Sequence, residues 1–326
     1  MTGWAEKEGA KVLSLFDGMA CGMLALQRAG IPVDRYVAFE IEEIAVKTSA
    51  HNFPLIEHRG DVFAGDFTEF LGFDFLIGGS PCTLWSIAQK NNRETEASGI
   101  GWDLFCQYVR ALREARPAYF IYENNESMAP AIRESITQTF GFDPTCINSA
   151  LLSPQRRLRL YWVGKRNPDG TYSKVDVPQP EDLKIYLDQV MAPEDFTDYK
   201  GGAFIRKKPD LTEHLDRTYQ LGATGPSGGQ AVRVYDLKGK SVTIKSQAGA
   251  GGGKTGLYLV NGEVKRLAKS GVAKCQTIPS WYEFPVSDDQ AISLMGNGWT
   301  VDVIVWLLSR CLAANTNPEE GDDWMY

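Results

Sequence analysis

Short apolar runs alternate with longer amphipathic stretches along the first half of the chain. The apolar runs lie at 12–16, 36–39, 73–77, 119–122 and 160–163, and helix-like stretches lie at 23–29, 44–51, 104–115 and 131–140. Strands that are separated by helices at this spacing predict a parallel sheet with helices on both faces. We therefore expect an α/β domain of the Rossmann type over residues 1–165.

The regular alternation ends near residue 165. Prolines at 168, 178, 180 and 193 interrupt it, and a glycine-rich stretch at 222–256 surrounds two β-prone pieces, 232–235 and 241–244. Flexible loops that join short strands suit a surface that adapts to an irregular partner. The sequence thus predicts a smaller, irregular, β-rich domain over 166–280. Helices predicted at 288–295 and 301–312 fall in a C-terminal segment, 281–326.

The charge of the 326-residue chain is distributed unevenly. Its net charge of −7 argues against a polyanionic partner, but residues 200–280 carry 14 Lys and Arg against 5 Asp and Glu, which gives +9. Subtracted from totals of 34 and 41, this leaves 20 against 36, or −16, for the rest of the chain. A basic segment on an acidic body indicates a local nucleic-acid site, and an unevenly charged solvated surface is the alternative.

Composition also limits the compartment and the chemistry. No apolar run approaches the ~20 residues that span a bilayer, and the first residues lack the basic and apolar parts of a signal peptide. The six cysteines are far apart and form no Cys-x-x-Cys or Cys/His cluster, which argues against a disulfide framework or a zinc site. We expect a cytoplasmic protein with reduced cysteines, no metal and no membrane contact.

Cys82 is the first candidate for catalysis. It follows the apolar run 73–77 through a Gly-Gly-Ser-Pro turn at 78–81, and parallel sheets carry their ligands at the ends of such strands. The thiolate is the nucleophilic form of cysteine, so a catalytic cysteine needs the exposed setting that a loop can provide. The alternative is a small buried apolar residue, which is the commoner role of an isolated cysteine.

A second motif follows the first predicted strand. Residues 16–22 read Phe-Asp-Gly-Met-Ala-Cys-Gly, and Glu40 ends the second predicted strand. Glycines in such a turn allow a ligand to approach backbone N–H groups, and an acidic residue can accept hydrogen bonds from ribose hydroxyls. Because the motif is not Gly-x-Gly-x-x-Gly, it disfavours a dinucleotide and favours a smaller adenosyl ligand. A purely steric use of glycine is the alternative.

A third group of polar residues surrounds two further strands. Glu123 ends the strand predicted at 119–122, while Gln155, Arg157 and Arg159 precede the strand predicted at 160–163. A carboxyl group beside a nucleophile can hold a ring nitrogen of a heterocycle and assist proton transfer. Alternation places the other three residues on one side, where the guanidinium groups could bind phosphate or pair with Glu123. A basic surface cluster is the alternative.

In this order, the motifs resemble those of the DNA (cytosine-5)-methyltransferases, and of their phage and prophage members in particular, over nearly the whole chain. Residues 16–18 resemble the first, cofactor-binding motif, Glu40 its ribose ligand and 60–62 the loop that contacts adenine. Pro81-Cys82 resembles the nucleophile motif, Glu123-Asn124 the Glu-Asn motif, and 155–159 the Gln-x-Arg-x-Arg motif.

Later segments extend the resemblance. Residues 266–267 and 275–279 resemble the segment that scaffolds the recognition domain, and Gly296-Asn297 resembles the last motif, which returns to complete the cofactor pocket. The resemblance implies a class I methyltransferase fold, which is Rossmann-like with a mixed, mostly parallel sheet. It further implies that 166–280 is a target-recognition domain and that 281–326 returns to the catalytic domain.

The resemblance also implies a reaction. A methyl group would pass from S-adenosylmethionine, which leaves as S-adenosylhomocysteine, to C5 of a cytosine that is flipped out of double-stranded DNA. Cys82 would attack C6 of the base, Glu123 would hold N3, and Arg159 would help to orient both. We expect a monomer that needs no protein partner.

The implied site residues fall into three groups. The catalytic group comprises Pro81, Cys82, Glu123, Arg157 and Arg159. The cofactor group comprises Phe16, Asp17, Gly18, Gly22, Glu40, Ile41, Asp61, Val62, Leu104, Asn297, Gly298 and Trp299. The expected DNA contacts are Gln155, Arg206, Lys207, Arg233, Lys245 and Lys254.

Three positions depart from the family's usual pattern. Thr83 follows Pro-Cys where glutamine is usual, Asn125 follows Glu-Asn where valine is usual, and Trp299 stands where a smaller residue is common. These departures concern target preference and the shape of the cofactor pocket. Two other functions stay open: an RNA cytosine methyltransferase, and a noncatalytic DNA- or nucleotide-binding protein on the same scaffold.

Overall fold

The centre of the protein is a mixed β-sheet. The computed structural model describes residues 9–81, 85–86, 93–226, 228–247 and 252–314. In this part of the chain, the sheet consists of β1 Ala10–Leu15, β2 Val33–Phe39, β3 Glu57–His58, β4 Phe75–Gly78, β5 Tyr119–Asn125, β6 Thr145–Asn148, β7 Leu158–Arg166 and β8 Tyr172–Lys174. The strands lie in the order β3-β2-β1-β4-β5-β7-β6, and β8 pairs with β7.

The strand directions create a defined binding edge. Strands β1 to β5 pair in parallel, whereas β7 runs antiparallel to β5, β6 and β8. The chain passes from β1 outward to β3 and then returns to β4, on the other side of β1, so the strand order reverses between β1 and β4. Ligands of open α/β sheets bind at the carboxyl ends of strands at such a reversal, and both the turn after β1 and the turn after β4 lie there.

Helices cover both faces of this sheet, as the near-continuous apolar strands require. The first four are α1 Cys21–Arg28, α2 Glu43–Asn52, α3 Gly99–Ala115 and α4 Pro130–Phe140. Val12 of β1 packs in a cluster with residues of α1, whereas its neighbour Leu13 packs in a cluster with residues of α3 and α4. Helix α4 has Pro130 in its first turn and ends at Gly141, whose φ of 82° is the left-handed cap that glycine favours.

A second sheet follows in the chain. Its strands are β9 Phe196–Asp198, β10 Ile205–Arg206, β11 Gln220–Ala223, β12 Arg233–Tyr235, β13 Leu257–Val260 and β14 Glu263–Leu267, in the order β10-β11-β12-β13-β14-β9. These pairs are antiparallel except for β12 with β13. The strands are short, as expected for an irregular β-rich domain. The first sheet extends to Lys174, which is beyond the boundary predicted at 165.

The β-prone piece 241–244 does not form the strand that its sequence suggests. Ser241 makes an isolated bridge with Gln155, and its N–H donates to the carbonyl of Pro154 at 2.7 Å. The N–H of Ile244 donates to Oε1 of Gln155 at 2.9 Å. This segment therefore connects the second sheet to the loop before β7, because that loop takes up its backbone donors.

The remaining helices are α5 Leu187–Val190, α6 Lys269–Cys275, α7 Asp288–Asn297 and α8 Val301–Ala313. Helix α7 is capped at its N-terminus by Ser287, which forms a reciprocal capping box with Gln290. Helix α8 packs against α1, so the C-terminal segment returns to the first sheet. By length and composition alone, Asp288–Ala313 would suffice to cross a membrane, but 56% of its most apolar window is buried inside the protein, and residues 298–300 separate it into two helices.

Candidate active site

The turn after β1 has an unusual backbone. Phe16, Gly18 and Ala20 all have positive φ angles, at 56°, 60° and 62°. Such angles are uncommon for residues with a side chain and concentrate where a loop is shaped for a ligand. A Cβ atom on Gly22, in the first turn of α1, would clash with the side chain of Ile77 in β4 and lie 2.8 Å from the hydroxyl of Tyr36. Glycine at this position therefore lets the turn pack against β4 and β2.

Asp17 occupies the centre of this turn. Its Oδ1 atom accepts hydrogen bonds from the hydroxyls of Ser14 and Tyr36, both at 2.6 Å. Its Oδ2 atom is inaccessible to solvent and has no hydrogen-bond partner among the described residues, although the residue as a whole is only half-buried. Burial raises the pKa of this carboxyl from its ordinary value of 3.8 to about 6, with a smaller contribution from the charge of Glu40.

Glu40 is held rigidly at the end of β2. One carboxylate oxygen accepts from the N–H of Gly18 at 2.8 Å, and the other accepts from the N–H groups of Ile41 and Glu42, both at 2.8 Å. An ionised carboxylate has about four acceptor sites, so these three bonds leave room for one ligand hydroxyl. Glu40 therefore links the turn after β1 to the turn after β2.

Other predicted cofactor residues lie close by in the chain. Ile41 is 75% exposed although it is a large apolar residue, and Val62 is buried. Asp61 accepts a hydrogen bond from the N–H of Phe63 at 3.0 Å, which shapes the loop after β3. Leu104 is half-buried on α3 and packs against the same apolar cluster as Phe16.

The turn after β4 lies directly against Glu123. A Cβ atom on Gly79 would come within 2.6 Å of the Glu123 carbonyl oxygen and 2.8 Å of its Oε2 atom, so only glycine fits there. Asn124 donates to the carbonyl of Ser80 at 3.2 Å, and the Ser80 hydroxyl bonds that of Tyr122 at 2.7 Å. Pro81 follows as an exposed residue. Cys82 itself lies outside the described residues.

Two N–H donors hold the carboxylate of Glu123. The Nε atom of Arg159 lies 2.9 Å from Oε1, and the two side chains are 14% and 12% exposed. The indole N–H of Trp299 donates to Oε2 at 3.1 Å. Since β5 and β7 are adjacent and Asn125 pairs with Arg159, the register of the sheet brings this arginine to Glu123. The predicted pairing of the two residues is therefore present.

Arg157 organises the last motif. Its side chain is buried, with Nη1 donating to the Ile244 carbonyl at 3.1 Å and Nη2 to those of Gly296 and Gly298 at 3.1 and 2.9 Å. Three carbonyl oxygens satisfy a guanidinium that would otherwise be costly to bury. These bonds give Arg157 a structural role, and the catalytic role expected of it stays a prediction.

Gln155 is also an internal connector. It is fully buried, and its amide nitrogen donates to the Cys275 carbonyl and to Oε1 of Gln276, at 3.1 and 3.0 Å. Its Oε1 accepts from the N–H of Ile244. Both ends of the amide are therefore occupied in the interior, and the DNA contact expected of Gln155 stays a prediction.

The family comparison agrees with this geometry. The model of the C-5 cytosine-specific DNA methylases matches residues 10–313, which includes every described element of both sheets.

The chain belongs to the C-5 cytosine-specific DNA methylase family.

Named relatives and a solved structure extend the match. The chain is 25% identical over 312 residues to the type II methyltransferase M.HhaI of Haemophilus parahaemolyticus, covering 92% of this chain and 93% of that protein. It is 27% identical over 287 residues to the orphan methyltransferase M.SPRI of Bacillus phage SPR, covering 74% and 65%. The Dnmt2 methyltransferase of S. pombe has a similar fold, with a TM-score of 0.66 at 17% identity over 94% and 99% of the two chains. The predicted family, enzyme class and fold are thereby confirmed.

In this methylase, many cationic side chains of the basic segment 200–280 contact other residues of the same chain. Seven of them contact carboxylates or carbonyl oxygens: Arg206, Lys238, Lys240, Lys254, Lys265, Lys269 and Lys274. Lys240 is fully buried and donates to the carbonyls of Ala150 and Ile185 at 2.8 and 2.7 Å. The segment's charge therefore overstates how many cations are available to a polyanion.

The individual DNA contacts stay predictions. Lys254 binds Asp289 at 2.8 Å and Ser293 at 2.9 Å, which directs its ammonium to α7. Arg206 is exposed and pairs with Asp210 at 2.8 Å. Lys207 and Arg233 are exposed as well, whereas Lys245 is half-buried.

Asn297 and Gly298 lie at the end of α7, where Asn297 is exposed and Gly298 half-buried. A Cβ atom on Gly298 would lie 3.1 Å from Sγ of Cys21, so the last motif packs on the start of α1, as the resemblance implies. Among the described residues, no three His, Cys, Asp or Glu side chains lie together as metal ligands would.

One contributor to this site, Tyr36, was not predicted from the sequence, and another, Trp299, was predicted in a different role. Tyr36 supports Asp17 from within β2, and nothing in its apolar run marks it as a functional residue. Trp299 was expected at the cofactor, and its indole N–H donates to Glu123, 176 residues away in the sequence. Only the unusual identity of residue 299 could have indicated such a role.

Proposed function

We propose that this methylase transfers a methyl group from S-adenosylmethionine to C5 of a flipped cytosine in double-stranded DNA, through a covalent bond between Cys82 and C6. The observation that carries the proposal is the carboxylate of Glu123. It is fixed by Arg159 and Trp299 and lies against Gly79, three residues before Cys82. This arrangement lies at the sheet edge that also carries the turn after β1.

The turn after β1 suits S-adenosylmethionine. This cofactor carries positive charge on its sulfonium and ammonium groups, and the Oδ2 atom of Asp17 is a buried acceptor to which no described residue donates. Glu40 retains acceptor capacity for a ribose hydroxyl, and the exposed Ile41 offers an apolar surface to the adenine. When bound, S-adenosylmethionine supplies an electrophilic methyl group. Asp17, Glu40 and Ile41 would hold and orient it.

The residues of the protein supply the remaining chemistry. The thiolate of Cys82 forms a bond to C6, which moves electron density to C5 and makes that carbon nucleophilic. Glu123 holds N3 of the base through a proton that the carboxyl group and N3 share, and Arg159 fixes the position of Glu123. After C5 has gained the methyl group, it loses its proton to a base, and the electron pair of that C–H bond expels the Cys82 thiolate.

The substrate must leave the helical stack, because C6 is shielded in duplex DNA. The second sheet and its loops, which follow the catalytic elements in the chain, are the proposed target-recognition domain. Lys207 and Arg233 are exposed there and can contact phosphate. The relatives named as type II or phage methyltransferases support a DNA substrate.

Bisulfite sequencing tests the proposal. A plasmid of mixed sequence is incubated with the protein and S-adenosylmethionine, with Cys82→Ser as the matched variant. We expect protected cytosines in a common sequence context with the native protein and none with the variant, while DNA binding by the variant persists. Protection that persists with Cys82→Ser would contradict the covalent mechanism. Methylation of RNA without any methylation of DNA would favour the alternative substrate, and cofactor binding without either would favour a noncatalytic role.

A further inference from the structure

The carboxylate of Glu123 has donors on both oxygens, and they come from distant parts of the chain. Arg159 reaches Oε1 from β7, at 2.9 Å. Trp299 reaches Oε2 from the turn between α7 and α8, at 3.1 Å. Two donors on different oxygens fix both the position and the rotation of a carboxylate, which one donor does not. About two of its four acceptor sites then remain, for the proton shared with N3 of the base and for a donor such as its N4 amino group.

The turn that carries Trp299 is itself fixed from several sides. Arg157 donates to the carbonyl of Gly298 at 2.9 Å, directly before Trp299. Directly after it, the Thr300 hydroxyl donates to Oε1 of Gln276 at 2.8 Å, and the N–H of Val301 donates to the Gln276 carbonyl at 3.0 Å. The backbone of residue 299 is therefore held on both sides, so the direction of the indole is set by the fold.

These contacts connect the buried Arg157 to the carboxylate of Glu123. Arg157 holds the turn, the turn holds Trp299, and Trp299 holds Glu123. Arg159, two residues after Arg157, holds the same carboxylate from the other side. One strand thus supports Glu123 twice, directly through Arg159 and indirectly through the last motif.

We propose that Trp299 is a positioning residue for Glu123, and that its indole N–H orients the carboxylate toward the N3 edge of the cytosine. This inference rests on the proposed function. It differs from the expected role of Trp299 as part of the cofactor pocket, because it assigns the effect to the N–H group rather than to the ring surface. It also gives a physical meaning to the large residue at this position.

The test replaces the N–H group and keeps the ring. Benzothienylalanine at position 299 substitutes sulfur for the indole N–H at nearly constant shape. Trp299→Phe also removes the N–H, but it leaves a smaller ring. Trp306→Phe is the matched control, since its indole N–H donates to the Pro178 carbonyl at 3.0 Å, in the same C-terminal segment. The measurements are kcat, KM for DNA, the pH dependence of kcat, and the Kd for S-adenosylmethionine by calorimetry.

We expect both changes at position 299 to lower kcat about 10-fold, as loss of a hydrogen bond to a charged group does, and to alter the pH profile. The benzothienyl variant should bind S-adenosylmethionine within about twofold of the native Kd, because the apolar ring surface is retained. Trp306→Phe should match the native protein in every measurement. Circular dichroism would verify that all variants fold.

Two results would overturn the inference. An unchanged kcat and pH profile for the benzothienyl variant would show that the N–H has no positioning role. A weaker cofactor Kd with unchanged kcat would assign Trp299 to the cofactor pocket alone. Failure of the proposed function is distinguishable from both, because the native protein and Trp306→Phe would then be inactive as well.

Discussion

Replacing Asp17 by Asn should stabilise the protein at alkaline pH while weakening its cofactor site. The Oδ2 atom of Asp17 is buried without a partner among the described residues, and burial raises the carboxyl pKa to about 6. Between pH 4 and 6 the folded protein retains a proton that the unfolded chain has lost. Unfolding therefore releases a proton in this range, and the stability that the group contributes below pH 4 is lost as the pH rises through 6.

The size of the effect follows from the shift. A change in the pKa of Asp17 from 3.8 to about 6 lowers the free energy of unfolding by ~3 kcal/mol between the acidic and the alkaline side of this pH range. Asn can retain the bonds from Ser14 and Tyr36 through its single oxygen, but its amide nitrogen would be a new buried donor that costs about 1 kcal/mol. We expect Asp17→Asn to gain about 2 kcal/mol in the free energy of unfolding at pH 8, which would raise Tm by a few degrees, and to change it little at pH 4.5, where the native carboxyl has cost only about 1 kcal/mol.

Thermal unfolding at pH 4.5 and pH 8 measures this difference, with and without S-adenosylmethionine. The cofactor should stabilise the variant less than the native protein, because loss of a charged acceptor weakens the binding of a cation about 10-fold or more. Asp66→Asn is the matched control: bonds from the Thr68 hydroxyl and N–H lower the pKa of this exposed carboxyl, so its replacement should bring no gain at pH 8. A Tm for Asp17→Asn that falls equally at both pH values would refute the electrostatic argument.

Two further substitutions test the geometry around Glu123. Gly79→Ala would place a Cβ atom 2.6 Å from the Glu123 carbonyl oxygen, so we expect at least a ~10-fold loss of methylation rate. Gly229→Ala is the control and should be neutral, because a Cβ atom there meets nothing within 4 Å. Equal methylation rates for the two variants would contradict the close contact between Gly79 and Glu123. Arg159→Ala should lower kcat by ~100-fold, because it frees a partly buried carboxylate. Arg35→Ala, which breaks a similar pair with bonds of 2.7 and 2.9 Å to Glu57, should retain activity, and a comparable loss in both variants would indicate a general effect on folding.

The sequence was informative where structure depends on neighbours in the chain. The apolar runs at 36–39 and 119–122 correspond to β2 and β5, because strands that are covered on both faces must be apolar along their length. The helix predicted at 288–295 begins with the capping box at Ser287, which is a local signal. The order of the sequence motifs along the chain then indicated the family.

The sequence was less informative where a side chain's role depends on distant partners. Arg157 and Arg159 look equivalent in the motif, yet one donates to the carbonyls of residues 244, 296 and 298 and the other reaches Glu123. Which of the two faces the carboxylate is decided by where residues 296–298 return, more than 130 positions later. The net charge of residues 200–280 likewise could not reveal that Lys240 is buried.

Covalent capture on DNA that contains 5-fluorocytosine tests whether Cys82 bonds to C6 of the base. Fluorine replaces the C5 proton whose loss releases the enzyme, so the bond between Cys82 and C6 should persist after methyl transfer. With S-adenosylmethionine present, we expect the intact mass of the native protein to rise by the mass of the methylated oligonucleotide. We expect no adduct with Cys82→Ser, although this variant binds the same DNA. Methylation of ordinary cytosine DNA without any adduct on the fluorinated DNA, or an equal adduct with Cys82→Ser, would contradict the covalent mechanism.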